Sequence, residues 1–175
     1  IPIQWWRSVG HSHTAFVVES ALDELAALGG QDPLEIRRGL LAEQPRHLAV
    51  LNAVAKMAKW QSKPPAGRAR GIALHASFGS IAAQVAEVSV SDGQVRVHRV
   101  WCAIDCGFAV NPDGVVAQME GGIIYGLSAA LTGEITIENG RPIQGNFDTY
   151  PIVRINEAPT IEVQIVASGG RMGGV

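Results

Sequence analysis

The hydrophobic period of this chain changes at a connector near its middle, and the change separates a helical part from a strand-rich part. Before a connector at 61–71, which contains two prolines and two glycines, apolar residues recur three and four positions apart. After the connector, apolar and polar residues alternate, as they do in half-buried strands. Helices followed by strands predict an α+β fold. We expect a helical segment at 1–63 and an α+β segment at 64–175, with antiparallel hairpins around a glycine-rich helix.

Three helices are predicted before the connector, at about 13–28, 33–41 and 46–60. Ser12 is expected to cap the first helix, which ends at the glycine pair 29–30. Asp32 precedes Pro33, so that a capping side chain stands before a proline at the first helical position. The acidic residues of the first helix are expected on a solvated or partner-facing side: Glu19, Asp23 and Glu24.

Strands are predicted after the connector, at 72–78, 81–90, 95–104 and 160–166. Asp92-Gly93 has the residue types of a tight hairpin turn and joins the second strand to the third. A second, shorter hairpin is predicted around Asn139-Gly140.

The segment 111–131 combines a helical pattern with glycines. Asn111 before Pro112 is a capping signature, and apolar residues then recur at steps of four. A glycine inside a helix costs about 1 kcal/mol relative to alanine. The glycines at 121, 122 and 126 therefore indicate either tight helix packing or backbone approach to a cofactor. Gln118 beside them can bind a heteroaromatic edge or a neighbouring loop.

Composition excludes several classes of protein. The 175 residues carry a formal charge of −2, without the concentrated basic face that nucleic acid requires. No apolar run is expected to span a membrane. Two cysteines, Cys102 and Cys106, are too few for a disulfide framework, and we predict two buried free thiols. Asp105 is expected to cap or close a turn.

The stretch WWRSVGHSHTAF, at 5–16, carries a binding signal. Arg7, followed by a small residue and a glycine before a helix, can present a guanidinium and backbone N–H groups to an anion or an oxo group. His11 and His13 lie two positions apart, whereas a zinc pair on a helix is spaced by three or four. A zinc-binding module is one alternative, and a purely structural turn is another. The remaining histidines are scattered in the sequence: His47, His75 and His98.

Further motifs follow in order: DPLEIRRGLL, RGIALHASFGSIAAQVAEVSV, VHRVWCAIDCGFAVNPDGVVAQMEGGIIYGLSAAL and NFDTYPIVRINEAPTIEV. With the opening stretch, they resemble the molybdenum-binding large subunit of the xanthine dehydrogenase and aldehyde oxidase superfamily. The similarity is strongest to the branch that contains the isoquinoline 1-oxidoreductase β-subunit. It covers nearly the whole chain, and it implies a C-terminal fragment of such a large subunit.

The resemblance implies a molybdenum–molybdopterin cofactor, of the cytosine dinucleotide form. It also implies a partner, a small [2Fe-2S] subunit that carries the iron–sulfur clusters. The parent would oxidise an N-heteroaromatic compound or an aldehyde, with water as the oxygen source. The alternative is a non-catalytic α+β structural or assembly module. Substrate identity stays open, as does a bacterial cytoplasmic or periplasmic location.

The resemblance also assigns roles to residues. The implied cofactor-binding residues are Arg7, Ser8, Gly10, Gln118, Gly121 and Gly122. Val9 and His11 would face the substrate pocket, and Val9 stands where relatives with purine substrates carry a stacking aromatic. No residue here is expected to bind the metal directly. The general base is expected to be a glutamate just beyond Val175, so that the fragment alone is expected to be inactive.

Overall fold

The computed structural model describes residues 5–175 and confirms the α+β class. Every predicted helix and the four longer strands lie within three residues of their expected bounds. The elements of the described chain are α1 (His11–Leu28), α2 (Pro33–Leu40), α3 (Pro45–Met57), β1 (Ala69–Ser77), β2 (Ser80–Ser91), β3 (Gln94–Asp105), α4 (Pro112–Leu131), β4 (Ile137–Glu138), β5 (Arg141–Pro142) and β6 (Thr160–Ile165).

The main sheet has the strand order β1-β2-β3-β6. The predicted turn at Asp92-Gly93 joins β2 to β3, and both residues have positive φ, 52° and 75°. The same geometry recurs at Phe78-Gly79, with φ of 48° and 84°, between β1 and β2. Positive φ at both central residues produces the turn twist that matches the strands of a hairpin.

The strand β6 departs from the expected pattern of antiparallel hairpins. It pairs with β3 in the parallel direction, after α4 and a long connection. The small hairpin around 139–140 is confirmed, as the two-residue strands β4 and β5.

The start of α1 corrects one prediction. The helix begins at His11, with Gly10 at the N-cap and no side chain as cap. Ser12 lies inside the first turn, where its hydroxyl donates to the carbonyl oxygens of Arg7 and Val9, at 3.1 Å each. The hydroxyl therefore binds the preceding turn instead of capping the helix, because serine can also bond to nearby carbonyl groups.

The predicted caps of α2 and α4 are confirmed. Asp32 Oδ1 accepts from the N–H groups of Leu34 and Glu35, at 2.7 and 3.3 Å. Asn111 Oδ1 accepts from the N–H of Gly114 at 3.3 Å. In each helix a side-chain oxygen satisfies a backbone donor that has no partner within the helix.

Two layers of helices enclose the sheet. The larger cluster of buried side chains lies between α2, α3 and one sheet face, and includes Leu34, Val50, Leu51, Val54, Ile72, Ile81, Val85 and Trp101. A smaller cluster joins α4 to the other face, through Val97, Val100, Cys102 and Ile123. The larger cluster contains residues from both sides of position 63. The division of the chain into two segments at that position stays a prediction.

The two cysteines are buried and free, as predicted. Burial raises the pKa of Cys102 to about 12. Since the thiolate is the reactive form, Cys102 is inert at neutral pH and acts as a small apolar side chain.

By length and composition alone, α4 could cross a membrane, contrary to the expectation from sequence. It has 20 residues and a mean hydropathy of 1.2, and no other described helix meets these criteria. One such helix is weak evidence, since core helices of soluble proteins pass the same test. Here α4 packs against the sheet through its buried residues Val115 and Ile123.

A buried arginine ties α1, α2 and β1 together. Arg37 is 2% exposed, and it donates to Glu19 and Asp23 at 2.8 and 2.7 Å. Glu19 also accepts from the N–H of Leu74 in β1, at 2.8 Å. Glu19 is therefore an internal partner, not the solvated or partner-facing residue expected, whereas Asp23 binds Arg37 with its side chain 45% exposed and Glu24 is exposed.

We expect Arg37→Met to lower the free energy of unfolding by about 3 kcal/mol or more, because it removes one partner of a buried ion pair. Arg38→Met on the same helix is the control, since its pair with Glu35 is exposed and is worth at most about 1 kcal/mol. Urea unfolding followed by circular dichroism measures both variants. Equal losses in the two would contradict the role given to Arg37.

Candidate functional site

A cleft of about 760 Å³ lies between the turn before α1, the β1–β2 turn, one face of α4 and the last residues of the chain. Four of the predicted site residues are on its wall: Arg7, Ser8, Gln118 and Gly122. Most wall residues were not predicted, and among them are Trp6, Phe78, Ser80, Tyr125 and Val175.

Arg7 and Gln118 meet across this cleft. Arg7 Nη2 donates to Gln118 Oε1 at 3.1 Å, and the guanidinium carbon lies 5.9 Å from the ring centre of Tyr125. A Cβ added to Gly122 would lie 3.8 Å from Arg7 Nη2, so the glycine leaves space beside the guanidinium. Gln118, Gly122 and Tyr125 follow at spacings of four and three, which places them on one helix face. That spacing was the available signal for Tyr125.

The turn that presents Arg7 has an unusual backbone. Ser8 and Val9 have φ of 67° and 51°, in the left-handed region. A β-branched residue is rare there, and such strain costs about 1–3 kcal/mol and concentrates at functional sites. The N–H of His11 donates to the carbonyl oxygen of Ser8 at 2.9 Å and closes the turn.

Three predicted residues of this stretch, Val9, Gly10 and His11, are not among the described residues that line the cleft. Val9 is 41% exposed, and Gly10 is the N-cap residue of α1. Their assignments to substrate and cofactor stay predictions.

His11 forms a pair with a histidine that the sequence left unassigned. Its Nδ1 lies 2.8 Å from Nε2 of His75, and its ring packs edge-on against Phe78, at 5.2 Å between centres. Burial and the proximity of His11 lower the pKa of His75, against the opposing effect of Glu19. His13 is not part of the pair. Within residues 5–175, no group of three or more His, Cys, Asp or Glu side chains could hold a metal ion.

Gly121 lies on a second, more apolar cavity of about 720 Å³. This cavity and the cleft share Trp6 and Tyr125, whose ring centres are 5.1 Å apart. Gly121 and Gly122 therefore face different spaces, one on each side of this aromatic pair.

The last residues of the chain pack along the cleft. The N–H groups of Gly173 and Gly174 donate to the carbonyl oxygens of Cys106 and Phe78, at 3.0 and 2.9 Å. The hydroxyl of Ser80 donates to the carbonyl oxygen of Gly174 at 2.7 Å. The glycine-rich end is thus bound to the turns that follow β1 and β3, and the last residue lies on the cleft wall.

Asp105 ends β3 and is fully buried. It accepts from Arg46 Nε, the N–H of Gly107 and the hydroxyl of Ser168, at 2.8 Å each. Burial opposes its ionisation, but these hydrogen bonds and the charge of Arg46 outweigh burial and lower the pKa of Asp105 below its usual value. The expected closure of a turn is confirmed, and two further partners come from distant parts of the chain.

We expect Gly107→Ala to be more destabilising than Gly93→Ala. The two glycines have nearly equal φ, 74° and 75°, so alanine costs about 1–2 kcal/mol at either position. A Cβ at Gly107 would lie 2.7 Å from the carbonyl oxygen of Gly170 and closer still to that of Arg171, whereas nothing lies within 4 Å at Gly93. The clash is expected to remove a further 1–3 kcal/mol or so from the free energy of unfolding. Urea unfolding measures both variants, and equal losses would contradict this contact.

Comparisons with known proteins identify the family of the chain. A family model described as molybdopterin cofactor-binding domain matches residues 21–159. The chain is 36% identical to the beta subunit of isoquinoline 1-oxidoreductase from Brevundimonas diminuta, over 100% of this chain and 23% of that protein. It is 33% identical to a subunit of nicotinate dehydrogenase from Pseudomonas putida, over 93% of this chain and 15% of that protein.

A third relative carries another cofactor in its name. It is the membrane-bound aldehyde dehydrogenase [pyrroloquinoline-quinone] of Gluconacetobacter polyoxogenes, 31% identical over 94% of this chain and 24% of that protein. The chain therefore spans less than a quarter of the length of each of these three relatives. The family model, by contrast, matches most of the chain. The predicted family is confirmed: the chain belongs to the molybdopterin cofactor-binding domain family of the xanthine dehydrogenase type of molybdenum enzymes.

Proposed function

We propose that this chain is part of a molybdenum hydroxylase large subunit, which oxidises an N-heteroaromatic compound or an aldehyde with water as the oxygen source. The observation that carries the proposal is the hydrogen bond between Arg7 and Gln118 across the cleft, at 3.1 Å. Gln118 is on α4, within the residues that the family model matches. These two residues lie 111 positions apart, so the fold, rather than local sequence, brings them together.

The groups on this wall fit a cofactor of the pterin type. Arg7 carries five N–H donors in a planar fork, and Gln118 offers both a donor amide and an acceptor oxygen. Ser8 adds a hydroxyl beside them on the wall. A pterin edge presents alternating donors and acceptors, and its phosphate and dithiolene groups are anionic, so this set matches it in charge and in hydrogen bonding.

We therefore assign Arg7, Ser8 and Gln118, with the backbone near Gly122, to cofactor binding. Gly10 and Gly121 remain in this proposed group because of the resemblance. When bound, the molybdenum centre supplies the two-electron oxidation. Arg7 holds the negative charge of the cofactor, and Gln118 fixes the orientation of the guanidinium by accepting from it.

The aromatic side chains indicate how a substrate would be held. Trp6 and Tyr125 form a tilted pair that borders both cavities. Aromatic faces and edges bind planar rings, which favours a heteroaromatic substrate or an aromatic aldehyde. We keep Val9 and His11 as proposed substrate-pocket residues, with His11 connected to the cleft through its contacts with His75 and Phe78.

The rest of the active centre is proposed to lie in the intact protein. Val175 is on the cleft wall, so the residues after it in a longer chain would enter the cleft there. The family resemblance predicts that a glutamate just after Val175 acts as the general base. Two of the relatives are named as subunits, which supports our proposal of a small [2Fe-2S] partner. The cytosine dinucleotide form of the cofactor is likewise a proposal.

We expect Arg7→Ala, in the intact protein purified with its partner, to lower molybdenum content or heterocycle-dependent dye reduction by about tenfold or more. A lost hydrogen bond to a charged group is worth about 1.5–3 kcal/mol, which corresponds to this range. Arg96→Ala is the control, since Arg96 is an exposed arginine near the start of β3. Elemental analysis and steady-state kinetics measure the two effects.

Two results would contradict the proposal at different levels. Wild-type molybdenum content and activity in Arg7→Ala would remove Arg7 from the site. A wild-type parent that contains pyrroloquinoline quinone, or neither cofactor, would refute the molybdenum hydroxylase itself. A parent that contains neither cofactor would favour the non-catalytic module.

A further inference from the structure

The carboxylate of Asp105 joins three parts of the chain that sequence keeps far apart. Arg46 comes from the first turn of α3, Gly107 follows β3, and Ser168 follows β6. Each donates to the carboxylate at 2.8 Å. Hydrogen bonds to an ionised group are the stronger ones, and they are strongest where water is excluded.

The segment that follows β6 runs along the end of β3. The N–H of Val166 donates to the carbonyl oxygen of Ile104 at 2.8 Å, next to the parallel pairing of β6 with β3. Ser168 then binds Asp105, and Gly173 binds Cys106. Three successive residues of the β3 end therefore each hold a point on the segment after β6.

This segment packs backbone against backbone. A Cβ at Gly107 would lie 2.7 Å from the carbonyl oxygen of Gly170, and one at Gly173 would lie 2.7 Å from the backbone nitrogen of Ser80. These contacts leave no space for sideways movement toward β3 or the β1–β2 turn. If the bond between Asp105 and Ser168 is lost, movement away from these surfaces is the direction that remains.

Arg46 supports the same segment from the other side. A Cβ at Gly170 would lie 3.2 Å from Arg46 Cζ, so the guanidinium packs directly on the glycine backbone. Within the described chain, its Nη2 is buried without a hydrogen-bond partner. An unsatisfied donor is costly, which indicates that the ion pair with Asp105, at 2.8 Å, sets the position of this side chain.

We infer that Asp105 is a positioning residue for the cleft. Its ionised carboxylate, with Arg46 and Ser168, holds residues 168–175 in register, and so determines where the chain meets the cleft at Val175. The catalytic consequence rests on the proposed function, in which the general base follows Val175. Asp105 itself touches neither substrate nor cofactor.

The test uses the intact protein with Asp105→Asn, which keeps the size of the side chain but removes the charge that pairs with Arg46. Asp92→Asn is the control, because it makes the same change in the exposed turn at the opposite end of β3. Deuterium uptake of peptides from 168–175 is measured by mass spectrometry at neutral pH. We expect exchange to become at least about tenfold faster in Asp105→Asn and to stay unchanged in Asp92→Asn, as one lost hydrogen bond to a charged group predicts.

Kinetics separate positioning from a general loss of structure. In Asp105→Asn we expect kcat to fall by about 10- to 100-fold, because a displacement near 1 Å of a catalytic group has effects of this size. Molybdenum content and KM are expected to stay within about twofold, since Arg7 and Gln118 are not moved. Ser168→Ala removes one partner and leaves the carboxylate, so it provides the same test if Asp105→Asn does not fold.

Each result decides the inference. Unchanged deuterium uptake at 168–175 would overturn it, and so would faster uptake with unchanged kcat. Loss of molybdenum together with kcat would also overturn it, because the effect would then be a general one. If the wild-type parent holds no molybdenum, the proposed function fails, and deuterium uptake alone decides whether Asp105 holds the segment.

Discussion

The burial of β3 on both faces is the constraint on which the rest of this structure depends. Its last six residues, 100–105, are all buried, with α3 packed on one face and α4 on the other. Because β3 also pairs with β2 and β6, neither of its edges is free. The place where β3 ends is therefore among the best-determined points of the fold, and the fully buried Asp105 lies there.

The candidate cleft forms where elements that β3 holds in place meet a turn that β3 does not hold. Its α4 wall, with Gln118 and Gly122, is positioned by helix packing on the sheet, and its C-terminal wall by hydrogen bonds to the residues after β1 and β3. The third wall is the turn around Arg7. The contacts of that turn include the bond to Gln118, the aromatic pair and the hydroxyl of Ser12.

Sequence predicted the features that depend on neighbours along the chain. Asp92-Gly93 and Asn111-Pro112 specify a turn and a helix start through their own backbone preferences, and both are confirmed. Ser12 failed as a cap because its hydroxyl had two uses, and the left-handed turn before it offered carbonyl oxygens instead. Pairs such as His11 with His75, 64 residues apart, depend on how α1 lies on β1, and periodicity contains no information about that.

The same distinction explains why Arg7 was identified and several of its neighbours in the cleft were not. An arginine before a helix is a local signal, whereas Tyr125, Phe78 and the C-terminal glycines reach the cleft only after the sheet has formed. The Arg7 turn is exposed and strained, and its hydroxyl hydrogen bonds are worth about 1 kcal/mol each in water, close to the cost of the strain. The wall beside Asp105 is instead held by hydrogen bonds to a fully buried carboxylate, one of them charge-assisted on both sides through Arg46. On the proposed function, the side held through Asp105 would orient groups for chemistry, and a bound cofactor would add contacts to the marginally stable Arg7 side.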